Sequence, residues 1–166
     1  MKYFAYGSNM DCKRMLARGI EFKDRVPGKV KDVKLVFNKS AAYNSSNGYA
    51  NIQLQKGSFV EGVLYTIRKS DIRKLDFYEG YPLHYEKWEV MVKLETGEII
   101  KAITYIAVPN KTRKGLKPSK DYLDHLLAGK YFLSDDYYNR LKATQTAEDD
   151  KYEMFPKSNK ILRKTV

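Results

Sequence analysis

Glu79 is the side chain whose position in the sequence most invites chemistry. Ile72, Leu75 and Glu79 follow at intervals of three and four, so on a helix opened by Ser70 they share one face. Asp71, Arg73, Lys74 and Asp76 take the other faces, and Gly80 and Pro82 stop the helix at once. The carboxylate thus sits on the side that should be buried and at the end where the helix dipole disfavours negative charge. Both effects push a carboxyl pKa upward, toward the range a general base needs near neutral pH. The same residues also read as a frayed helix end, with Glu79 in water or paired with a lysine such as Lys87. Taken alone they favour that plainer reading, because structural networks perturb carboxylates too.

A second candidate lies at the start of the chain, in Tyr3-Phe4-Ala5-Tyr6-Gly7-Ser8-Asn9. The apolar, aromatic run is too short for a helix and suits a buried strand. Gly7 permits a sharp turn through backbone angles closed to other residues, and Ser8 and Asn9 are good helix N-caps. Asp11, Met15, Leu16, Arg18 and Gly19 then mark the start, inner face and stop of one short helix. Such a turn offers backbone N–H groups to an anion or a developing oxyanion. It lacks the longer glycine pattern of a nucleotide loop, and by itself it favours a capped turn with no ligand.

Other chemistries find little support. His84 and His125 are far apart, and neither a His-x-x-x-His nor a paired-cysteine spacing for zinc occurs. There is no G-x-S-x-G elbow and no Walker loop. Ser8 lacks a recognisable histidine base, and His84 reads as a surface or hairpin residue. The single cysteine, Cys12, reads as a packing residue in the first turn of the short helix.

The elements that must position these groups can be read in order. Pro27-Gly28 marks a turn, and Val30 to Phe37 a strand. Asn44–Gly48 is a loop, and Tyr49 to Leu54 a short strand. Gln55-Lys56-Gly57-Ser58 turns the chain into the alternating strand Phe59 to Ile67. Trp88, Val90, Val92 and Leu94 alternate strictly, Glu95–Glu98 turns, and Ile99 to Val108 returns as the second arm of a hairpin. Residues 109–118 form a loop. Ser119 caps a helix with Tyr122, Leu123, Leu126 and Leu127 inward, and Ser134 opens another with Tyr138 and Leu141. Many strands with helices grouped late predict an α+β fold rather than a doubly wound parallel sheet.

At 166 residues the chain suits one domain. The net charge is +11, from 31 Lys and Arg against 20 Asp and Glu, but the bases are spread along the chain. That pattern suits solubility and steering of small anions better than nucleic-acid recognition. The most basic stretch is the tail from Lys151. No apolar run is long enough for a spanning helix, the N-terminus has no signal-peptide pattern, and one cysteine forms no internal disulfide. These features predict a cytoplasmic protein that is not membrane-bound.

Together these stretches resemble the γ-glutamylcyclotransferase family. The resemblance rests on Tyr3 to Asn9, Val60-Glu61-Gly62-Val63-Leu64-Tyr65, Leu75-Asp76-Phe77-Tyr78-Glu79-Gly80-Tyr81, Ala102-Ile103-Thr104-Tyr105 and Pro118-Ser119-Lys120-Asp121-Tyr122-Leu123, in that order. It covers residues 1–143; a domain over 1–145 and a basic tail over 146–166 are expected. It implies a small mixed-strand β-barrel flanked by short helices. By the same resemblance, Glu79 falls on the catalytic acid/base. The run Tyr3, Phe4, Ala5, Tyr6, Gly7, Ser8 and Asn9 falls on the substrate-binding loop, and Tyr105 and Tyr122 on tyrosines lining the pocket. One departure is His84, near a position where relatives often have glycine. The implied reaction releases 5-oxoproline and a free amine from a γ-glutamyl amide, with no metal or other cofactor. Which amide is cleaved is left open, including isopeptides and protected metabolites. From other classes, the readings are a binding module that kept the pocket without turnover, and a basic nucleic-acid-binding protein.

Overall fold

In the computed structural model, β1 (Lys2–Ala5), β2 (Phe22–Ser40), β3 (Gly48–Ile67), β4 (Tyr85–Lys93) and β5 (Ile99–Ala107) close into one barrel. The structure describes residues 1–40 and 46–148; part of the expected 44–48 loop and nearly all of the basic tail fall outside them. The strand order is β1-β3-β2-β4-β5, with β1 parallel to β5 and the other pairs antiparallel. Four short helices flank it: α1 (Cys12–Ala17), α2 (Ile72–Glu79), α3 (Lys120–Leu127) and α4 (Asp135–Lys142). This is the α+β fold the element order predicts and the mixed-strand barrel the family resemblance implies. Among the described residues no helix is long and apolar enough to cross a membrane.

Side-chain alternation builds the β4–β5 hairpin. Val90 and Val92 are buried while Glu89, Met91 and Lys93 face water, the period of two expected of a half-buried strand; Tyr85, out of phase with Val90 and Val92, is buried as well. Ser119 and Ser134 cap α3 and α4 by accepting from the Tyr122 and Tyr137 N–H groups. Leu123, Leu126, Tyr137 and Leu141 turn inward from these helices.

Five local expectations are corrected. Pro27-Gly28 does not turn the chain; it lies inside β2, with Gly28 opposite Gly62 of β3. Proline is tolerated there because β2 pairs with β4 only at Lys29↔Lys93, so its missing N–H is not needed by a second neighbour. Gln55–Ser58 also lies within one long strand. Val33 opposes Leu54 and Lys31 opposes Phe59, so residues 55–58 bulge out against Asp32. The turn chemistry is real but local: Asp32 and Gly57 take positive φ, and the Gly57 N–H donates to Asp32 Oδ1 at 2.8 Å.

Ser8 and Asn9 form a 3-10 turn with Met10, and Asp11 caps α1 by accepting from the Lys13 N–H. Ser70 does not cap α2 either, since a 3-10 turn over Lys69–Asp71 precedes that helix. Asp71 is 2 % exposed, held by Arg68 and Lys74, although the helical spacing put it on an outer face.

The two glycines facing each other across β2 and β3 let the barrel close. A Cβ on Gly28 would stand 2.5 Å from Val92 Cγ1, and one on Gly62 would stand 2.3 Å from the Ala5 carbonyl oxygen. The first obstacle is a side chain, whereas the second is the backbone of β1 and cannot rotate away. Gly62→Ala is therefore expected to cost about 3 kcal/mol, read as a lower urea midpoint with an unchanged slope; an unaltered midpoint would show that β1 can yield.

Candidate active site

β1 delivers the chain into the turn that carries the first half of the site. Gly7 has φ −114°, so its backbone is not in the left-handed region. Close approach favours glycine there: a Cβ would lie 3.1 Å from Ala50 Cβ and 3.4 Å from Tyr122 Oη. The Gly7 carbonyl accepts from the Met10 N–H at 2.9 Å, which curls the 3-10 turn.

α2 delivers the second half. Gly80 takes φ +62° and ends the helix in a left-handed cap. Glu79, one residue earlier, has only 17 % of its side chain exposed. Its Oε1 accepts from Asn9 Nδ2 at 3.0 Å and from Arg18 Nη1 at 3.2 Å. Asn9 Nδ2 also donates to Tyr3 Oη at 2.7 Å, and Asn9 Oδ1 accepts from Arg18 Nη1 at 2.8 Å. The Arg18 guanidinium lies 4.7 Å from the centre of the Tyr78 ring. Glu79 Oε2 has no hydrogen bond among the described residues. Burial raises the Glu79 pKa, against the opposing pull of Arg18 and the Asn9 amide. Lys87 does not pair with Glu79; it binds Asp76 Oδ2 at 2.8 Å.

The two halves meet at a narrow hollow of about 30 Å³. Of the residues expected at a site, Tyr3, Tyr6, Gly7, Ser8, Asn9, Glu79, Tyr105 and Tyr122 line it. Phe4 and Ala5 do not. Successive strand residues face opposite ways, and the Phe4 ring packs toward Gly28 and Gly62. Ala5 pairs with Val63 and lines neither cavity at the site.

The tyrosines are held from behind. Tyr105 Oη donates to Asp76 Oδ1 at 2.7 Å, and the Tyr6 hydroxyl donates to the Tyr105 carbonyl. Tyr122 Oη accepts from the Ala50 N–H at 3.1 Å. Burial pushes the Tyr122 hydroxyl up to about 12 and raises the Tyr3, Tyr6 and Tyr105 hydroxyls as well. All four are neutral donors near neutral pH.

Ser8, Glu79, Tyr85 and Tyr122 also line a wider outer cavity of about 290 Å³. Glu79 therefore stands at the junction of the two spaces. The hollow admits a carbonyl or carboxylate end; the rest of any substrate extends outward. A larger cleft of about 810 Å³ lies beside Phe59, Glu61 and Ser134 and contains none of the expected site residues. Its carboxylate, Glu61, is already bound by Lys29 and Ser134. Among the described residues no three His, Cys, Asp or Glu side chains cluster to hold a metal ion.

The family model for gamma-glutamyl cyclotransferase, AIG2-like proteins matches residues 3–124. The chain belongs to this family. Similar relatives include the human protein named gamma-glutamylcyclotransferase, 30 % identical over 149 residues, covering 86 % of this chain and 78 % of that protein. The mouse protein of the same name is 29 % identical over 152 residues, covering 88 % and 79 %. A solved structure of a gamma-glutamyl cyclotransferase superposes with a TM-score of 0.77 at 28 % identity, covering 88 % of each chain.

Several of this family member's site residues escaped the sequence reading. Arg18 looked like an ordinary basic residue at a helix end, and 61 positions separate it from Glu79. Tyr85, Thr104 and Ala50 complete the hollow, and Arg14 and Lys39 line the outer cavity. His84, expected at a surface or hairpin, lines the outer cavity too. Tyr85 is out of phase with Val90 and Val92, and nothing in the spacing signalled it or the others.

A raised carboxyl pKa makes the charged form the costly one in the folded state. Wild-type stability therefore falls as pH rises from the ordinary glutamate value of 4.5 through the raised one. Glu79→Gln keeps the neutral shape and escapes this loss. Its thermal midpoint relative to wild type is expected to climb across that window by roughly a few degrees and then level off; a difference that does not vary with pH would mean the carboxyl is unperturbed.

Proposed function

We propose that this protein is a γ-glutamylcyclotransferase that releases 5-oxoproline and a free amine from a γ-glutamyl amide, with Glu79 as general base and then general acid. The observation that carries this reading is the meeting of Glu79 and the Gly7–Asn9 turn at one hollow, with Arg18 and Asn9 fixing one carboxylate oxygen and leaving the other unbonded.

The substrate's α-ammonium gives a proton to Glu79 Oε2. The freed amine attacks the γ-carbonyl carbon of the same molecule, closing a five-membered ring. Because the nucleophile is tethered, holding the folded-back conformer lowers the barrier by several kcal/mol, on the order of ~7 for a well-aligned pair. The carbonyl oxygen becomes an oxyanion. The N–H groups of Gly7, Ser8 and Asn9 and the neutral hydroxyls of Tyr3 and Tyr122 are the donors available to it or to the α-carboxylate. Glu79 then returns the proton to the departing nitrogen as the C–N bond breaks, and the ring nitrogen gives up its remaining extra proton to the released amine, which leaves as an ammonium, so that the lactam keeps one N–H. The reaction as written uses protein groups alone, and one carboxyl can take both roles because its pKa is raised.

Incubation with γ-glutamylalanine and γ-glutamyllysine is expected to yield 5-oxoproline by chromatography. Glu79→Gln should lose about 10²–10⁴-fold in kcat while keeping its circular dichroism. No product across a broad γ-glutamyl panel would instead favour a binding module. Arg18 holds the Glu79 pKa down, so Arg18→Met is expected to move the acid limb of the kcat/KM profile to higher pH. An acid limb that stays in place would detach Glu79 from the titration.

A further inference from the structure

The end of α2 exposes more apolar surface than a solvated helix terminus needs. Phe77, Tyr78, Tyr81 and Leu83 all stand exposed there within a short run of chain. Single exposed apolar side chains are ordinary on a protein surface, but a group of them beside a cavity marks a contact site. Phe77 and Tyr78 line the outer cavity, whereas Tyr81 and Leu83 do not. Phe77 is 79 % exposed and Tyr78 46 %. Their rings meet nearly at a right angle, 81°, with centres 5.4 Å apart. The Arg18 guanidinium lies over the Tyr78 ring and the Lys87 ammonium over the Tyr81 ring. The Phe77 ring, packed edge-on against Tyr78, keeps most of its surface open.

A second pair of rings, Tyr49 and Tyr122, lines the same cavity with centres 4.9 Å apart. Phe77 and Tyr78 immediately precede Glu79 in the chain. With a rise of about 1.5 Å per helical residue, a group hung from the nitrogen that Glu79 protonates comes within reach of both rings. The glutamyl part of the substrate occupies the inner hollow, so these rings are left to meet the leaving part. Arg14, Arg18 and Lys39 line the cavity and Glu79 is the one carboxylate among its lining residues, which disfavours a cationic group there. Apolar surface is what the rings can cover, and aromatic rings bury it at little entropic cost.

We propose that Phe77 and Tyr78 form an apolar subsite for the side chain of the leaving group, with Phe77 as the residue that sets this specificity. The proposal rests on the cyclotransferase reading and narrows it. Leaving groups with a leucine- or phenylalanine-sized apolar side chain are preferred to polar ones of the same size.

Four substrates that differ in one side chain test it: the γ-glutamyl derivatives of phenylalanine, leucine, asparagine and glycine. Asparagine matches leucine closely in size and shape, so that pair separates apolarity from bulk. Wild-type kcat/KM is expected to favour leucine over asparagine by roughly 3- to 10-fold, the gain from burying about half of such a side chain. Phenylalanine should do at least as well as leucine, and glycine no better than asparagine. Most of the difference should lie in KM, because an apolar contact of this kind is made alike in bound substrate and transition state. Phe77→Ala should bring the leucine-to-asparagine ratio toward one, and Phe77→Leu should keep most of it. Phe77 is exposed, so neither change opens the core. Leu83→Ala removes exposed apolar surface outside the cavity and should leave the ratio as it is in wild type. Equal wild-type kcat/KM for leucine and asparagine overturns the proposal alone. So does a Phe77→Ala loss of the same factor on both, which would assign Phe77 to the glutamyl part or to the fold. A ratio that falls as far with Leu83→Ala as with Phe77→Ala overturns it too. No 5-oxoproline from any of the four overturns the cyclotransferase reading and this proposal with it.

Discussion

The site depends on one side-chain amide. Asn9 donates through Nδ2 to both Glu79 and Tyr3 and accepts through Oδ1 from Arg18. It thereby ties together the turn after β1, the end of α1 and the end of α2. Asn9 is itself buried, and the Tyr65 hydroxyl donates to its carbonyl at 3.0 Å, so the amide sits on a fixed backbone. Because both contacts to Glu79 fall on one oxygen, the amide and the guanidinium also decide which oxygen is left unbonded. A charged partner alone would not do this, since a guanidinium can rotate to serve either oxygen of a carboxylate.

Closure of the barrel brings these pieces together. β1 lies between β3 and β5, so Tyr3 pairs with Tyr65 on one side and Ile103 on the other. Tyr105, two residues along β5, then reaches the same hollow, and its ring meets that of Tyr3 edge-on at 6.0 Å. The approach of β1 to β3 is close enough that Gly62 has no room for a side chain beside the Ala5 carbonyl. Long strands carry the closure: β2 and β3 run for 19 and 20 residues, which lets one hairpin contribute both to the wall behind the hollow and to the outer cavity.

Periodic features were legible before the structure, and features set by distant contacts were not. The β4–β5 hairpin and the serine caps of α3 and α4 follow from local pattern and local hydrogen bonds. Glu79 was placed on an inward face by helical spacing alone, and it lies at the hollow. Pro27-Gly28 and Gln55–Ser58 misled because the same residues that permit a turn also permit a close approach or a bulge, and only the partner strand decides which. Ser8, Asn9 and Ser70 are good caps that were pre-empted by 3-10 turns. The partners of Glu79 were invisible because a pairing between Arg18 and Glu79 leaves no trace in the spacing of either.

Two glutamates in this chain show why removal from water alone does not raise a carboxyl pKa. Glu61 is 5 % exposed, and burial works to raise its pKa, yet the net direction is downward. Its oxygens receive the Ser134 N–H at 2.7 Å, the Ser134 hydroxyl at 3.0 Å and the Lys29 ammonium at 3.0 Å. Both oxygens are engaged and the charge is matched, so the carboxylate is a structural anchor for the start of α4. At Glu79 the donors are Asn9 and Arg18, both on one oxygen, and the net direction is upward. Burial is the largest influence on both; at Glu61 donors to both oxygens outweigh it, and at Glu79 donors to one oxygen do not. Donors on both oxygens would stabilise the carboxylate and abolish its basicity; donors on neither would leave it free to swing out of the hollow. Half-satisfaction holds the group in place and keeps its proton affinity high, and the turn after β1 supplies that through a single amide.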